Sequence, residues 1–210
     1  MTAPSPTHLR IIERYRRIAA LPDALFFFTF PLRKQAVAQL QLTPGGRVLE
    51  VGCGSGANFA SLVRAVGPEG QVVGVDISPE MVAAARARVQ RHGWSNVQLI
   101  ESPAENLQLA ARFDGLLLFA MHDVLTSEAA VTRSLSHLRT GGRVVVVSPA
   151  LADQLPGRLL NPLAAFAFRR FSVSQADRFQ PWRLLAQHLP GLSVKRIGPG
   201  LLFLAVGQKE

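Results

Sequence analysis

Short apolar runs alternate with segments of helical periodicity from residue 47 onwards. RVLEVG (47–52), QVVGVD (71–76), NVQLIE (96–101), DGLLLFA (114–120) and RVVVVS (143–148) have the near-continuous apolar character of strands that are buried on both faces. Helices are predicted between them at residues 57–66, 79–92 and around 127–138. This alternation predicts a Rossmann-like α/β fold, a doubly wound and mostly parallel sheet with helices on both faces.

The second of these helices has clear start and stop signals. Ser78 is a good N-cap, Pro79 suits the first helical position, and Glu80 places a negative charge near the positive end of the helix. Gly93 follows the last periodic residue, as expected of a glycine that ends a helix.

The two ends of the chain differ from this middle region. LSVKRI (192–197) and LLFLAVG (201–207) flank Gly198-Pro199-Gly200, which predicts an antiparallel hairpin and a sheet of seven strands. Residues 150–190 are rich in Phe, Arg and Pro and too long for an ordinary connection, so they are predicted to cover the substrate site. HLRIIERYRRIAA (8–20) is predicted to be an amphipathic helix, with Ile11, Tyr15 and Ile18 on one face.

We therefore expect one domain with four parts. These are an N-terminal helical cap segment (1–44), a core (45–149), a cap insertion (150–190) and a C-terminal hairpin (191–210). A length of 210 residues with 48% hydrophobic and 18% charged residues is ordinary for a single soluble globular domain.

The same composition argues against several protein classes. The one cysteine, Cys53, excludes a disulfide framework and a Cys-rich metal site, and no metal site is predicted. MTAPSPTHLR lacks the basic-then-apolar order of a signal peptide, and no run approaches the roughly 18 apolar residues of a spanning helix. The sequence predicts a cytoplasmic protein.

The net charge of +9 is concentrated at the two ends of the chain. Residues 1–47 carry seven Arg/Lys against two acids, and residues 151–210 carry eight against three, whereas residues 48–150 are almost neutral. A nucleic acid, an anionic membrane surface or an acidic substrate would each account for this distribution.

The chemistry-bearing residues lie where the first two strands end. Gly52, Gly54 and Gly56 follow the first strand, where glycine permits a positive φ and lets a ligand approach the backbone. Asp76 closes the second strand, where a carboxylate is placed to accept hydrogen bonds from both hydroxyls of an adenosine ribose. Three glycines with an acid at each strand end favour a cofactor site over a simple tight turn.

Several segments together resemble the ordered motifs of class I S-adenosylmethionine-dependent methyltransferases. They are VLEVGCGSG (48–56), VVGVDIS (72–78), SPAENL (102–107) and LRTGGRVVVV (138–147), followed by the antiparallel final pair. The resemblance covers residues 45–150 and 191–207 and implies S-adenosylmethionine as the cofactor. The chain also resembles the bacterial phospholipid N-methyltransferases. This second resemblance is based on the tyrosine-bearing basic segment before VLEVG and on composition.

The resemblance also implies roles for individual residues. The backbone around Glu50, Gly52, Gly54 and Gly56 would hold the methionine end of the cofactor, and Phe119 at the end of the fourth strand belongs to the same set. Asp76 would bind the ribose, with Ile77 packed on the adenine. The Ala104 N–H would meet the adenine ring, but Pro103 stands where the family commonly has Asp. Either Glu105 or a carbonyl replaces that contact, or the contact is missing.

Catalysis with this cofactor needs positioning rather than a nucleophile, since the methyl is already activated. FAMHDVL (119–125) leaves the fourth strand towards the methyl. His122 is the candidate general base, with a pocket-lining role as the alternative. Asp123 and Tyr15 are lesser candidates, since Asp123 suits the cap of the following turn and Tyr15 suits packing on the amphipathic face.

The predicted acceptor is a small or amphipathic molecule. Nucleic-acid amino-methyltransferases usually carry Asn/Asp-Pro-Pro-aromatic after the fourth strand, whereas this chain has AMHD (120–123), so RNA is the less favoured acceptor. Residues 10–34 and 161–171 mix arginine with phenylalanine, which suits an anionic membrane surface and a phospholipid acceptor. A regulatory or scaffold protein that binds S-adenosylmethionine without transferring the methyl is the remaining alternative.

Overall fold

The computed structural model describes residues 6–19 and 29–210, apart from the side chains of residues 15, 17–19, 167, 170 and 171. Within this part of the chain, seven strands form one sheet in the order β3-β2-β1-β4-β5-β7-β6. The strands are β1 (Arg47–Val51), β2 (Gln71–Asp76), β3 (Val97–Glu101), β4 (Phe113–Phe119), β5 (Leu138–Pro149), β6 (Ser193–Ile197) and β7 (Leu202–Gln208). Strand β7 is antiparallel to both of its neighbours, and the other neighbouring pairs are parallel. The predicted fold class is confirmed.

Helices cover both faces of this sheet. Those in the described residues are α1 (Pro6–Ala19), α2 (Phe30–Gln39), α3 (Phe59–Val66), α4 (Pro79–His92), α5 (His122–Leu125), α6 (Glu128–Ser136), α7 (Asn161–Phe171) and α8 (Arg183–His188), with 3-10 turns at Ala104–Asn106 and Gly157–Leu160. The apolar segment at 24–32 lies partly outside the described residues, and its end forms the first turn of α2.

The predicted ends of α4 have the expected geometry. The Ser78 hydroxyl accepts a hydrogen bond from the Met81 backbone N–H at 3.3 Å, which satisfies one of the free donors of the first turn. Gly93 adopts the left-handed conformation, with φ of 65°, and ends the helix. These local signals fix the path of the chain that leaves β2.

The central strands are buried on both faces, as their continuous apolar runs require. One face packs in a cluster that includes Leu49, Leu116 and Val146, and the other in a cluster that includes Val48, Leu117 and Val145. Adjacent residues of each strand therefore belong to opposite cores, which is the two-sided burial expected of a parallel sheet.

One predicted boundary was wrong. The helix expected around 127–138 ends at Ser136, and β5 begins at Leu138 rather than at Arg143. Leu138 pairs with Phe113 of β4, and the register then shifts before Gly115 pairs with Arg143. The glycine pair in TGG forms an irregularity inside one long strand, because β4 offers Leu138 a partner that the local pattern does not reveal.

The strand order fixes where a ligand site can form. The chain proceeds from β1 outward to β2 and β3, then returns to place β4 on the other side of β1. The crevice beyond the carboxyl ends of β1 and β4 is therefore the switch point of the sheet. Among the described residues, no helix has the length and apolar character needed to cross a membrane.

Candidate active site

A cavity of about 250 Å³ lies beyond the carboxyl ends of β1, β2 and β4. Its floor includes Gly52, Asp76 and Ile77, and one side includes Ala104 and Glu105 after β3. Parts of α1 and of the loop after α7 close it from above, with Thr7, His8, Ile11, Val173 and Ser174. Residues distant in sequence thus meet at the predicted cofactor position.

The three glycines after β1 all adopt a positive φ, but for different reasons. A Cβ at Gly52 would lie 2.1 Å from the Met121 Sδ, and a Cβ at Gly56 would lie 2.5 Å from the ring of Phe59. Gly54, with φ of 53°, has only the Met81 Sδ near its missing Cβ, at 3.8 Å. Packing therefore accounts for Gly52 and Gly56, whereas the space over Gly54 is open to a ligand.

Asp76 ends β2 as a nearly buried carboxylate. Its Oδ2 accepts a hydrogen bond from the Gly54 N–H at 2.8 Å, and its Oδ1 accepts one from the Ser78 N–H at 2.9 Å. Burial raises the pKa of Asp76, and these backbone donors oppose the shift. The Ile77 backbone N–H acts on the same carboxylate, so three backbone donors surround it. Because a carboxylate has about four acceptor positions, acceptor capacity remains for a hydroxyl group of a ligand in the cavity.

Glu50 lies behind the glycine loop in a buried polar network that the sequence did not reveal. Its Oε1 accepts a hydrogen bond from the Asn58 Nδ2 at 2.5 Å, and the Asn58 Oδ1 accepts one from Arg33 of α2 at 3.1 Å. Its Oε2 has no partner among the described residues. Burial raises the pKa of Glu50 to about 7, although Asn58 and Arg33 act in the opposite direction.

Phe119 lies beside the same network rather than in the cavity. Its ring is nearly buried, and the guanidinium carbon of Arg33 lies 4.1 Å from the ring centroid. This cation–π contact helps to hold Arg33 in place above the end of β4. Arg33 and Asn58 carried no recognisable spacing in the sequence, because their roles depend on α2 packing across the sheet.

Glu105 is held by the N-terminal helix. The Glu105 Oε1 and the His8 Nε2 are 2.6 Å apart, and both residues line the cavity. Glu105 is thus present beside Ala104 as expected, but its carboxylate is shared with α1. His8 was missed because nothing in the local sequence shows that α1 crosses the end of β3.

The turn after β4 separates its residues into two environments. Ala120 adopts a left-handed φ of 61°, which is strained for a residue with a Cβ, and Met121 then lies over Gly52 and lines the cavity. His122 lies behind the lining, only 2% exposed, with its ring edge-on to Phe168 at a centroid distance of 5.2 Å.

The imidazole of His122 is buried with little hydrogen bonding. Among the described residues, neither ring nitrogen has a partner at normal hydrogen-bond geometry, although the Ala176 backbone lies close enough to act on the ring. Burial lowers the pKa of His122, with the Asp123 carboxylate acting in the opposite direction, so the neutral form that can accept a proton is favoured.

Asp123 lines the cavity and fastens the cap insertion to the core. Its carboxylate accepts hydrogen bonds from the backbone N–H of Val173 at 3.2 Å and of Ser174 at 2.6 Å. Arg14 of α1 donates to the carbonyl oxygens of Arg169, at 3.0 Å, and of Ser172 at the end of α7. Helix α1, the cap and the β4 exit therefore form one connected wall.

The predicted residues thus fall into three groups. Gly52, Asp76, Ile77, Ala104, Glu105 and Asp123 line the cavity. Gly54 borders open space beside it, whereas Glu50, Gly56, Phe119 and His122 are buried and do not line it. The side chain of Tyr15 lies outside the described part of the structure. Among the described residues, no cluster of His, Cys, Asp and Glu is arranged to hold a metal ion.

The cavity fits an adenosine cofactor with a cationic amino-acid end. Asp76 offers acceptor positions for ribose hydroxyls, Ile77 and Ala104 offer apolar and backbone contacts beside it, and Gly54 leaves room for close approach. The free Glu50 Oε2 lies at the buried end of the glycine loop, where a positive group would satisfy it.

Comparisons with known proteins agree with this geometry. Residues 42–178 match the family described as "Methyltransferase domain". The chain is 34% identical over 173 residues to a ubiquinone/menaquinone biosynthesis C-methyltransferase of Ectopseudomonas mendocina, and 34% identical over 125 residues to the aklanonic acid methyltransferase of Streptomyces sp.. These alignments cover 79% and 59% of this chain, and 65% and 56% of the relatives, so the chain spans less than two thirds of either relative.

A solved structure has the same fold at low sequence identity. The N-methyltransferase NodS from Bradyrhizobium japonicum, in complex with S-adenosyl-L-homocysteine, superposes with a TM-score of 0.68 at 18% identity. The match covers 95% of this chain and 98% of the other.

Proposed function

The chain belongs to the class I S-adenosylmethionine-dependent methyltransferases, and we propose that it transfers a methyl group from S-adenosylmethionine to a small amphipathic acceptor held beneath the cap. The observation that carries this proposal is the cavity lined by Asp76, whose carboxylate keeps acceptor capacity beyond its backbone donors, beside the open space over Gly54.

Each wall of the cavity has a distinct task in this proposal. Asp76 binds the ribose hydroxyls, while Ile77 and the backbone at Ala104 border the adenine. Glu50 stays ionised when a positive group satisfies its Oε2, with Asn58 and Arg33 orienting the carboxylate. The bound cofactor supplies an activated methyl on its sulfonium, so the remaining task of the chain is to align the acceptor and exclude water.

His122 is the proposed proton acceptor. Its buried, neutral and unpaired imidazole lies directly after Met121, at the boundary between the cavity and the cap. An acceptor that enters beneath Phe168 would supply the partner that the ring nitrogens lack. Asp123 is the less favoured proton acceptor, because its carboxylate accepts two hydrogen bonds from the cap, which give it a positioning function.

The class of acceptor is proposed from the cavity lining and the relatives. Ile11, Val124 and Val173 contribute apolar surface, while Thr126 and Ser174 contribute hydroxyl groups. The two curated relatives are named for aklanonic acid and for ubiquinone/menaquinone biosynthesis, which supports a small organic acceptor. A phospholipid is the lipid example of the same amphipathic chemistry, and RNA is the competing acceptor.

The decisive experiment measures S-adenosylhomocysteine release with panels of quinone precursors, phospholipid vesicles and RNA. We expect acceptor-dependent release with the first or second panel. S-adenosylmethionine and S-adenosylhomocysteine, but not NAD, should raise the melting temperature, since only a ligand of the folded state does so. A thermal shift without release for any acceptor would favour a binding protein, and release with RNA alone would replace the proposed acceptor.

A further inference from the structure

The cap insertion exposes large apolar side chains that the proposed chemistry does not use. Leu155, Leu159, Leu163 and Phe166 are exposed to 71%, 75%, 70% and 58%, and Leu160 to 42%. Leu155 precedes the 3-10 turn before α7, and Leu159 and Leu160 lie in that turn. Leu163 and Phe166 share one face of α7 because they are three residues apart. We call these five side chains the cap surface.

The stretch of sequence that carries the cap surface is basic. Residues 154–176 contain three arginines and no Asp or Glu. Arg158 and Arg169, one in the 3-10 turn and the other near the end of α7, are both exposed. Two acids flank this stretch: Asp153, which is paired with Arg196 at 3.2 Å, and Asp177, which is exposed. An apolar face bordered by free arginines is complementary to acyl chains beneath anionic headgroups.

Helix α1, the other basic segment, has fewer free cations than its sequence suggests. The Arg14 guanidinium donates to two carbonyl groups at the end of α7, and Arg16 is paired with Glu13 at 2.6 Å. Arg10 remains exposed. Among the described side chains, Arg14 of α1 therefore holds the cap, whereas Arg169 of α7 is exposed.

We propose that the cap surface docks on an anionic membrane surface, an interaction that stands apart from methyl transfer itself. The leucines and Phe166 enter the boundary between headgroups and acyl chains, and Arg158 and Arg169 contact the headgroups. A second copy of the chain fits this surface less well, because a symmetric contact would bring the arginines of both copies together. RNA would leave the exposed leucines in water.

Docking in this orientation has a geometric consequence. The end of α7 is tied to α1 by Arg14, and the loop that follows is tied to the β4 exit by Asp123. The cap surface is thereby linked through a few hydrogen bonds to the wall of the cavity.

The test uses the full chain and sedimentation with vesicles of phosphatidylcholine alone or mixed with phosphatidylglycerol. We expect binding to the mixed vesicles and much weaker binding to the neutral ones. The triple variant Leu159→Gln, Leu163→Gln, Phe166→Gln should lower partitioning by on the order of tenfold or more, since each residue loses apolar insertion. The single variant Leu163→Gln should show a smaller loss in the same direction.

Matched variants separate the cap surface from general effects. Phe30→Gln removes a side chain that is 48% exposed on α2, and should leave partitioning unchanged. Arg158→Gln should lower binding to the anionic vesicles about fivefold, whereas Arg64→Gln, the same charge change on the exposed side of α3, should not. Added salt should weaken binding of the wild-type chain as the Debye length shortens.

Four outcomes would overturn the proposal. The first is that the wild-type chain binds neither vesicle, and the second is that the triple variant binds as well as the wild-type chain. The third is a large fall in the melting temperature of the triple variant, which would show that the cap surface is packed within the protein. The fourth is that the wild-type chain forms a dimer and the triple variant does not. Cofactor-induced thermal shifts in the same variants are independent of vesicle binding, so loss of docking is distinguishable from failure of the methyltransferase proposal.

Discussion

The two walls of the cavity are built in different ways. The wall formed by β1 and β2 is held by short-range geometry, as in the hydrogen bonds that Asp76 accepts from Gly54 and Ser78. The wall formed by α1 and the cap is held by contacts between residues distant in sequence, such as His8 with Glu105 and Arg14 with the end of α7. Local geometry can be read from a sequence, whereas a distant contact appears only once the chain is folded.

The difference extends to charge and burial. The first wall contains two buried acids, Asp76 in the cavity lining and Glu50 behind it, and burial raises the pKa of both. The second wall belongs to the basic segments and continues into the exposed cap surface. In the proposed function the first wall serves the cofactor and the second serves the acceptor, and the variants below test this division.

The largest expected effect lies at the second wall. His122→Ala should lower turnover on the order of 10²–10⁴-fold while the cofactor-induced thermal shift persists, because the proton acceptor is lost and the first wall is intact. Since burial lowers the pKa of His122, the wild-type turnover should stay on its plateau as pH falls below the ordinary histidine pKa of about 6.5. Steady-state kinetics across this range measure both effects.

A matched histidine gives the control for this prediction. His92→Ala removes an exposed ring that stacks on Trp94, far from the β4 exit, and should leave turnover unchanged. A loss of less than about threefold for His122→Ala at every pH would make His122 a packing residue beside Phe168.

The next effect belongs to the first wall. Asp76→Ala removes the acceptor of both ribose hydroxyls and should weaken cofactor binding about 10- to 100-fold, with little change in the turnover of the saturated enzyme. Calorimetric titration with S-adenosylhomocysteine measures the affinity. Glu101→Ala is the control, since Glu101 ends the neighbouring strand in register with Asp76 and is exposed. Equal affinities of Asp76→Ala and the wild-type chain would place the ribose elsewhere.

The sequence predicted the features that depend on local geometry and missed those that depend on contacts between distant residues. The strands, the caps of α4 and the hairpin depend on local patterns and were predicted, as were Gly52 and Asp76 as residues at the edge of the cavity. The start of β5 was missed because Leu138 depends on a partner in β4. Arg33, Asn58 and His8 were missed because packing between elements brings them to the site, and no spacing records that.

A smaller effect concerns the pH dependence of stability. The pKa of Glu50 is about 7 in the folded chain and about 4.5 when unfolded, so its stabilising contribution is fully present below the lower value and is lost as pH rises through the higher one. Glu50→Gln should remove that loss, which is worth a few kcal/mol at most, while the contribution of the same sign from Asp76 remains. Urea unfolding without cofactor, at about pH 5 and about pH 8, measures the difference.

The surface variant Glu101→Gln provides the comparison for this slope, because an exposed carboxylate gains or loses little on folding. A wild-type slope that Glu50→Gln leaves unchanged would show that Glu50 is ionised in the folded chain without the cofactor. Asn58 and Arg33 would then stabilise the charge more than burial penalises it.

The smallest effect tests the side-chain contact between His8 of α1 and Glu105 of the 3-10 turn after β3. His8 and Glu105 are 2.6 Å apart, and their side chains are 14% and 30% exposed, so solvent screens the pair only in part. A double-mutant cycle of His8→Ala and Glu105→Ala, read out as cofactor affinity, should show coupling of about 0.5 kcal/mol, or roughly a twofold change. Each single variant should weaken binding by a few-fold at most, because α1 covers the cofactor without supplying the ribose acceptor.

The matched cycle pairs Glu101→Ala with His8→Ala, because Glu101 is the carboxylate just before the turn that carries Glu105. This cycle should show no coupling. Coupling near zero in both cycles would mean that α1 covers the adenine end through the apolar contact of Ile11 alone, and the walls would then be joined only at the β4 exit through Asp123.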